Sequence, residues 1–398
     1  MRLLVCALIA LALCCLAGVA GAAPRLAPPP PAAVRAATPG PCHDATLATG
    51  AITRTCVPAS GWNGDLIVFA HGYAAPGQPL APQDPSFNGA PLSSSIQGLG
   101  YAFATTSYRR NGLAVLEGAA DIRDLLGAFP AAAGQPAAHT YLLGFSEGAL
   151  VTTLLAEQSR TLVSGAIAAC GPIGDFERQT GHFGDFRVLF DYFFPGKLPA
   201  SPVSIPQSVI DTWASAYAPT IAAAVAANPS KAGQLIATSG AAINSGDPAT
   251  VVSTTLDLLW YNVFATNDAR GQLGGNPYDN RTRVYSGSSD DTALNAGVQR
   301  FDADAAALAA LAPYQTSGRP QVPLVVLHTT LDDVVPFEQF TLYKSKAQAQ
   351  RSPNATFVPV ERYGHCQFNS GEILAAFSTL VQQAHTPRPQ IYLPLAKT

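Results

Sequence analysis

Charged side chains are scarce in this 398-residue sequence. They make up 12% of it, about half the usual ~25%. Lysine and arginine (23) nearly balance aspartate and glutamate (26), leaving a net charge of −3, and no run of basic residues appears. The electrostatic footprint that draws a protein onto nucleic acid is therefore missing. After the first two dozen residues no segment reaches the ~20 apolar residues that span a bilayer, so stable membrane insertion is not expected. No stretch recurs at a fixed period, which argues against a solenoid or propeller. The cysteines show no zinc-ligand spacing, and nothing in the sequence implies a metal or an organic cofactor.

What is present is apolar and rich in turns. Hydrophobic residues account for 48%, with 34 glycines and 33 prolines. At roughly 150 residues per domain the length allows two or three units or one elaborated domain. The opening "MRLLVCALIALALCCLAGVAGAAP" has one arginine, an apolar run and Ala20-Gly21-Ala22 before Ala23. That is the layout of a cleaved secretory signal over residues 1–22. A membrane anchor is the rival reading. Lipidation at Cys14 or Cys15 is disfavoured by Leu13 before the modified position. Export predicts a secreted or otherwise extracytoplasmic mature chain.

Residues 23–41 are rich in proline and alanine and read as an extended linker. Residues 386–398 read as a tail. Once the signal is removed, four of the seven cysteines remain: Cys42, Cys56, Cys170 and Cys366. An even number in an oxidising compartment points to disulfides, with three possible connectivities. Cys42 and Cys56 flank a short hairpin-like segment and form the local pair, which leaves Cys170 with Cys366. Two unpaired buried thiols are the alternative for the second pair.

From residue 65 short apolar runs alternate with helical patterns. "DLIVFAHGY", "YAFATTSY" (101–108), "HTYLLG" (139–144) and "LVSGAIAACG" (162–171) read as buried strands. Between the second and third of these, Ile122, Leu125, Leu126 and Phe129 recur at helical spacing. After the third, Leu150, Val151, Leu154 and Leu155 do the same. Strands apolar on both faces, alternating with helices, predict an α/β fold whose mostly parallel sheet is flanked by helices. The alternation lapses over residues 172–315, an Ala-rich and aromatic stretch. It resumes with "VPLVVLHTTLDDVVP" (322–336), "ATFVPVERYGHCQF" (355–368) and a last helix. A largely helical insertion (172–315) splitting one α/β core (42–171 and 316–385) explains this pattern.

One five-residue pattern stands at a strand-to-helix junction: "GFSEG", with Ser146 between Gly144 and Gly148. A serine hydroxyl attacks carbonyls only when a base takes its proton and an acid orients that base. Candidates for both follow later strands. Asp332 comes after "PLVVLHTT", with Asp333 as its competitor, and His365 comes after "TFVPVERYG". The other histidines, His43, His139, His182, His328 and His385, read as structural, and His71 as a brace for its loop. Asp290 and Asp291 read as helix caps.

These motifs resemble those of the α/β-hydrolase superfamily over roughly residues 60 to 385. "GFSEG" is similar to its nucleophile elbow, "DDVVP" to its acid loop, "YGHC" to its histidine loop and "AHGY" to its oxyanion loop. The resemblance implies a Ser146–Asp332–His365 triad, with backbone N–H groups of Tyr73 and Glu147 as the oxyanion hole. The segment 172–315 stands where such enzymes carry a cap. The expected activity is hydrolysis of a small-molecule or polymeric carboxylic ester through an acyl-enzyme. A serine peptidase resembling the catalytic domain of prolyl oligopeptidases is the alternative. A hydrolase-fold protein that binds without catalysis is the second alternative. Some feruloyl-esterase-like and tannase-like hydrolases bridge a cysteine beside the histidine to one beside the serine. Phe145 stands before Ser146 here, so that bridge is impossible.

Overall fold

The structure, a computed structural model, describes residues 37–386 except 88 and 200. The signal segment, the linker as far as residue 36 and the tail from 387 lie outside the described residues. Eight strands share one sheet: β1 (Cys42–Thr46), β2 (Ile52–Cys56), β3 (Leu66–Ala70), β4 (Ala102–Thr106), β5 (Thr140–Phe145), β6 (Gly165–Ala169), β7 (Leu324–Leu331) and β8 (Ala355–Tyr363). Their order is β1-β2-β4-β3-β5-β6-β7-β8. From β4 through β8 every neighbouring pair is parallel. Within this sheet, among the described residues, only β1 with β2 and β2 with β4 run antiparallel. Residues 47–51 are too short a link for a parallel crossover, so the first two strands must form a hairpin.

The helices in chain order are α1 (Leu92–Gly98), α2 (Val115–Ala133), α3 (Glu147–Gln158), α4 (Phe176–Phe193), α5 (Gln207–Thr212), α6 (Ala218–Ala227), α7 (Pro229–Ser239), α8 (Thr250–Leu273), α9 (Asp291–Gly297), α10 (Ala305–Ala310), α11 (Glu338–Ala349) and α12 (Ser370–His385). Asp290 caps α9, its carboxylate accepting the N–H of Ala293. Among the described residues no helix is long and apolar enough to cross a membrane.

β3 shows why both faces of the sheet need cover. All five of its residues are buried. Leu66, Val68 and Ala70 enter the core beneath α2, α3 and α11, with Ile122, Leu150 and Phe340. Ile67 and Phe69 point the other way, to Ile96 of α1 and Ile373 and Leu380 of α12. The period of two along a strand sends alternate side chains to opposite layers. α3 is buried without a break from Glu147 to Ala156, as expected of a helix apolar all round. Fully burying a leucine such as Leu150 contributes roughly 1.5–3 kcal/mol.

Helices α4–α10 fill the interval between β6 and β7. Residues from Phe186 to Val298 form a separate apolar core, with Phe190, Trp213, Ile221, Leu258 and Val263 at its centre. Arg187, 1% exposed, bridges α4 to α8 through Asn262 at 3.0 Å and is paired with Asp191.

Candidate active site

β5 ends at Phe145 and α3 begins at Glu147, so the chain reverses direction on the single residue Ser146. Its φ of 56° lies in the left-handed region that favours glycine, a conformation costing on the order of 1–3 kcal/mol. Neighbouring glycines make the turn possible. A Cβ on Gly144 would stand 2.2 Å from the carbonyl oxygen of Gly148, and one on Gly148 would stand 2.0 Å from that of Ala70. The Ser146 N–H donates to the Ala169 carbonyl at 2.9 Å, tying the turn to β6.

His365 follows β8 on the loop opened by Gly364. Its Nε2 lies 2.9 Å from Ser146 Oγ, and its Nδ1 lies 2.9 and 3.0 Å from the two oxygens of Asp332. With Nδ1–H donating to the carboxylate, Nε2 is left to accept the serine proton. Asp332 is 2% exposed, and its Oδ1 also accepts the N–H groups of Val334 and Val335. Burial works against its charge, but the His365 imidazole and these donors hold its pKa below the ordinary value. Burial likewise opposes charge on His365, yet Asp332, Asp333 and Asp257 together raise its pKa.

Of the two adjacent aspartates, Asp332 is the one within reach of the imidazole. Asp333 accepts the Tyr363 hydroxyl at 3.2 Å. None of the remaining histidines bonds Ser146, although His328 Nε2 lies 3.6 Å from Asp332 Oδ2. His328 is fully buried on β7 and donates from Nε2 to the Val335 carbonyl. His71 donates from Nδ1 to the Gly72 carbonyl and stacks on Tyr108 at 3.9 Å, bracing the loop after β3. His182 on α4 feels the Asp332 charge, but burial pulls its pKa down to about 4. His139 and His385 lie together with Asp65 near the opposite ends of the strands, and His43 is on exposed β1.

Gly72 packs against Ser146, where an added Cβ would come 3.1 Å from that of the serine. Tyr73 and Glu147 line the same cleft as Ser146. The Tyr73 hydroxyl donates to the Phe264 carbonyl at 3.1 Å, so this loop is pinned by α8. The Glu147 carboxyl accepts the Ala114 N–H at 3.0 Å, but among the described residues its Oε2 has no hydrogen-bond partner. Burial pushes its pKa up to about 8.

Both cysteine pairs are bonded, Cys42 to Cys56 across the β1–β2 register and Cys170 to Cys366 beside the histidine. Cys366 Sγ lies 3.5 Å from His365 Nε2.

The contribution of α8 was not read from the sequence. Thr254, Asp257, Tyr261, Phe264 and Asp268 follow a spacing of three or four and form one stripe along it. Thr254 bonds the Tyr363 hydroxyl. Tyr261 lines the cleft within hydrogen-bonding reach of Ser146, and its pKa is raised by burial and by nearby carboxylates. Asp268 accepts from Arg110 and from the Leu113 N–H. The signal was present as a polar and aromatic stripe at helical period, on a helix whose other faces fill the inserted core.

Two recesses meet at this helix, sharing Tyr261 and Val334. The apolar one holds Ser146, with Leu113, Phe176, Phe183 and Val335 in its walls. The polar one holds His365, with Asp257, Asp333, Trp260 and Tyr363.

No family model and no curated protein matches the chain. Among solved structures it is similar to an acylaminoacyl peptidase of Pyrococcus horikoshii at 13% identity and a TM-score of 0.41, over 83% of this chain. That match spans only 38% of the peptidase. It is similar to feruloyl esterase B of Aspergillus oryzae at 13% identity and TM-score 0.43, over 82% of this chain and 73% of the other. A Pyrococcus furiosus esterase matches at 12% identity and TM-score 0.45, over 87% and 94%. Likenesses this distant decide nothing about activity. The strand order and the serine turn between β5 and α3 carry the assignment instead, and by them the chain has the α/β-hydrolase fold.

Proposed function

We propose that this protein is a serine hydrolase that cleaves carboxylic esters through an acyl-enzyme. The observation that carries the reading is the unbroken line of hydrogen bonds from Asp332 through His365 to Ser146, ending on a serine at φ 56°. In the proposed cycle His365 Nε2 takes the Ser146 proton as Oγ attacks the carbonyl carbon. Asp332 stabilises the imidazolium. The N–H groups of Tyr73 and Glu147 receive the oxyanion, a contribution of roughly 3–4 kcal/mol per donor in comparable sites. The C–O bond to the leaving group then breaks, and His365 protonates the departing oxygen. Water repeats the sequence to release the acid and restore Ser146.

The apolar walls beside Ser146 favour a neutral, apolar acyl group over a charged one. We assign residues 172–315 as the cap that shapes this cleft, supported by their separate core and by Tyr261 beside the serine. Extracytoplasmic location is part of the same proposal, supported by the two disulfides. Turnover on matched esters and peptide amides, with acyl chains of increasing length, tests the reading. Ester cleavage lost in Ser146→Ala is expected. Faster turnover of the amides would make the protein a peptidase, and no turnover of either would leave a binding protein.

A further inference from the structure

The recess that holds His365 differs in chemistry from the one that holds Ser146. In a serine hydrolase the histidine must reach the leaving group to protonate it. The leaving group therefore belongs on the His365 side of Tyr261, and the acyl group on the apolar side. On the His365 side two carboxyls face each other, Asp257 from α8 and Asp333 from the loop after β7. Asp333 is 4% exposed; among the described residues no N–H or O–H donates to its Oδ1, and the Asp257 carboxyl lies within hydrogen-bonding reach of the residue. Neither residue forms an ion pair among the described residues. The guanidinium in the recess, that of Arg362, is committed to Glu372 at 2.7 and 2.9 Å. The indole of Trp260 completes the wall.

From this arrangement we infer that the His365 recess is a cation subsite, and that the preferred substrates are esters whose alcohol portion carries an ammonium group close to the scissile bond. The inference rests on the serine-esterase reading and adds the leaving-group class to it. Two opposed carboxyls and an aromatic face are what a desolvated ammonium needs, since carboxylates supply the charge and an indole supplies a cation–π surface. A hydroxyl on a neutral alcohol portion can donate to Asp333 Oδ1 but leaves the charge of the two carboxyls unbalanced. Asp257 is lifted to about 6, by burial first and by Asp333 next, so in the range where His365 is neutral the Asp257 carboxylate stands beside Asp333 with no cation to balance it. An acidic or phosphorylated alcohol portion would meet two like charges and be rejected.

The test compares two esters that differ in charge alone, choline butanoate and its neutral isostere 3,3-dimethylbutyl butanoate. The wild-type protein is expected to favour the choline ester by about tenfold in kcat/KM at low salt. Asp257→Asn should collapse that ratio toward unity, and so should about 0.5 M sodium chloride by screening. Asp257→Asn keeps the side chain's size and removes a charge that Asp333 opposes, so this variant is expected to fold. Hydrolysis of both esters at equal rates, or an undiminished preference in Asp257→Asn, would overturn the cation subsite while leaving the esterase reading intact. Titration of tetramethylammonium into the Ser146→Ala variant by calorimetry needs no turnover. Binding weakened by Asp257→Asn is expected there even if the esterase reading fails, and absence of binding would overturn the subsite on its own.

Discussion

The Nε2 of His365 stands 2.9 Å from the Oγ of Ser146, although 219 residues separate the two along the chain. The contact is made by topology. β5 and β8 are parallel and lie three places apart in the sheet, so the loops that leave their C-terminal ends open on the same edge. Asp332, at the end of β7 between them, completes the line.

The first prediction concerns pH. The base works only when neutral, and its pKa is raised by Asp332, Asp333 and Asp257 against the opposing effect of burial. A raised pKa extends the protonated, inactive form to higher pH. The acid limb of kcat/KM should therefore have its midpoint above the ordinary histidine value of 6.5. Asp257→Asn removes one of the raising charges and should move that midpoint down. A pH–rate profile of both proteins on a neutral ester checks this, and an upward shift in the variant would contradict it.

Glu147 yields a stability prediction. Its folded pKa of about 8 is above the ordinary value of 4.5 because the carboxyl is buried. The folded state thus holds this proton more tightly than the unfolded state. Its contribution is fully favourable below about 4.5, is lost progressively as pH rises, and levels off beyond about 8. Glu147→Gln keeps an acceptor for the Ala114 N–H and removes the ionisation. The variant should be more stable than wild type at pH 8 by roughly 1–3 kcal/mol, with the gap closing toward pH 4.5. Denaturant titrations at the two pH values measure it.

The Cys170–Cys366 bond predicts a link between redox state and the histidine loop. It joins residues 196 apart, one of them directly after His365. Closing so long a loop typically stabilises by roughly 2–5 kcal/mol. Replacing both cysteines by alanine should lower the melting temperature and reduce kcat more than it raises KM, because the base loses its tether. Replacing Cys42 and Cys56, on the far edge of the sheet, should lower stability and leave kcat nearly unchanged.

What the sequence disclosed was whatever is local. β3, β5, β6 and β7 are runs of apolar residues with no polar alternation, which only a sheet covered on both faces explains. Ser146, Asp332 and His365 each follow such a strand within a short motif. β1 carried no such signal because all five of its residues are exposed. Its membership in the sheet comes from pairing with β2. α8 was hidden for a different reason. Leu258, Leu259 and Val263 fill the inserted core, while Asp257 and Tyr261 on the same helix face the serine and the histidine. A single periodicity cannot reveal two faces buried against different partners. The anchor from the Tyr73 hydroxyl to Phe264, across 191 residues, likewise has no signature along the chain.

The central claim is that Ser146 is an activated nucleophile, and covalent capture tests it most directly. Folded protein treated with a fluorophosphonate and mapped by mass spectrometry should carry one adduct, on Ser146. Denatured protein and the Ser146→Ala variant should carry none, and the variant should lose ester turnover by on the order of 10⁴-fold or more. An unlabelled Ser146 in the folded protein, or ester hydrolysis undiminished in Ser146→Ala, would contradict the account.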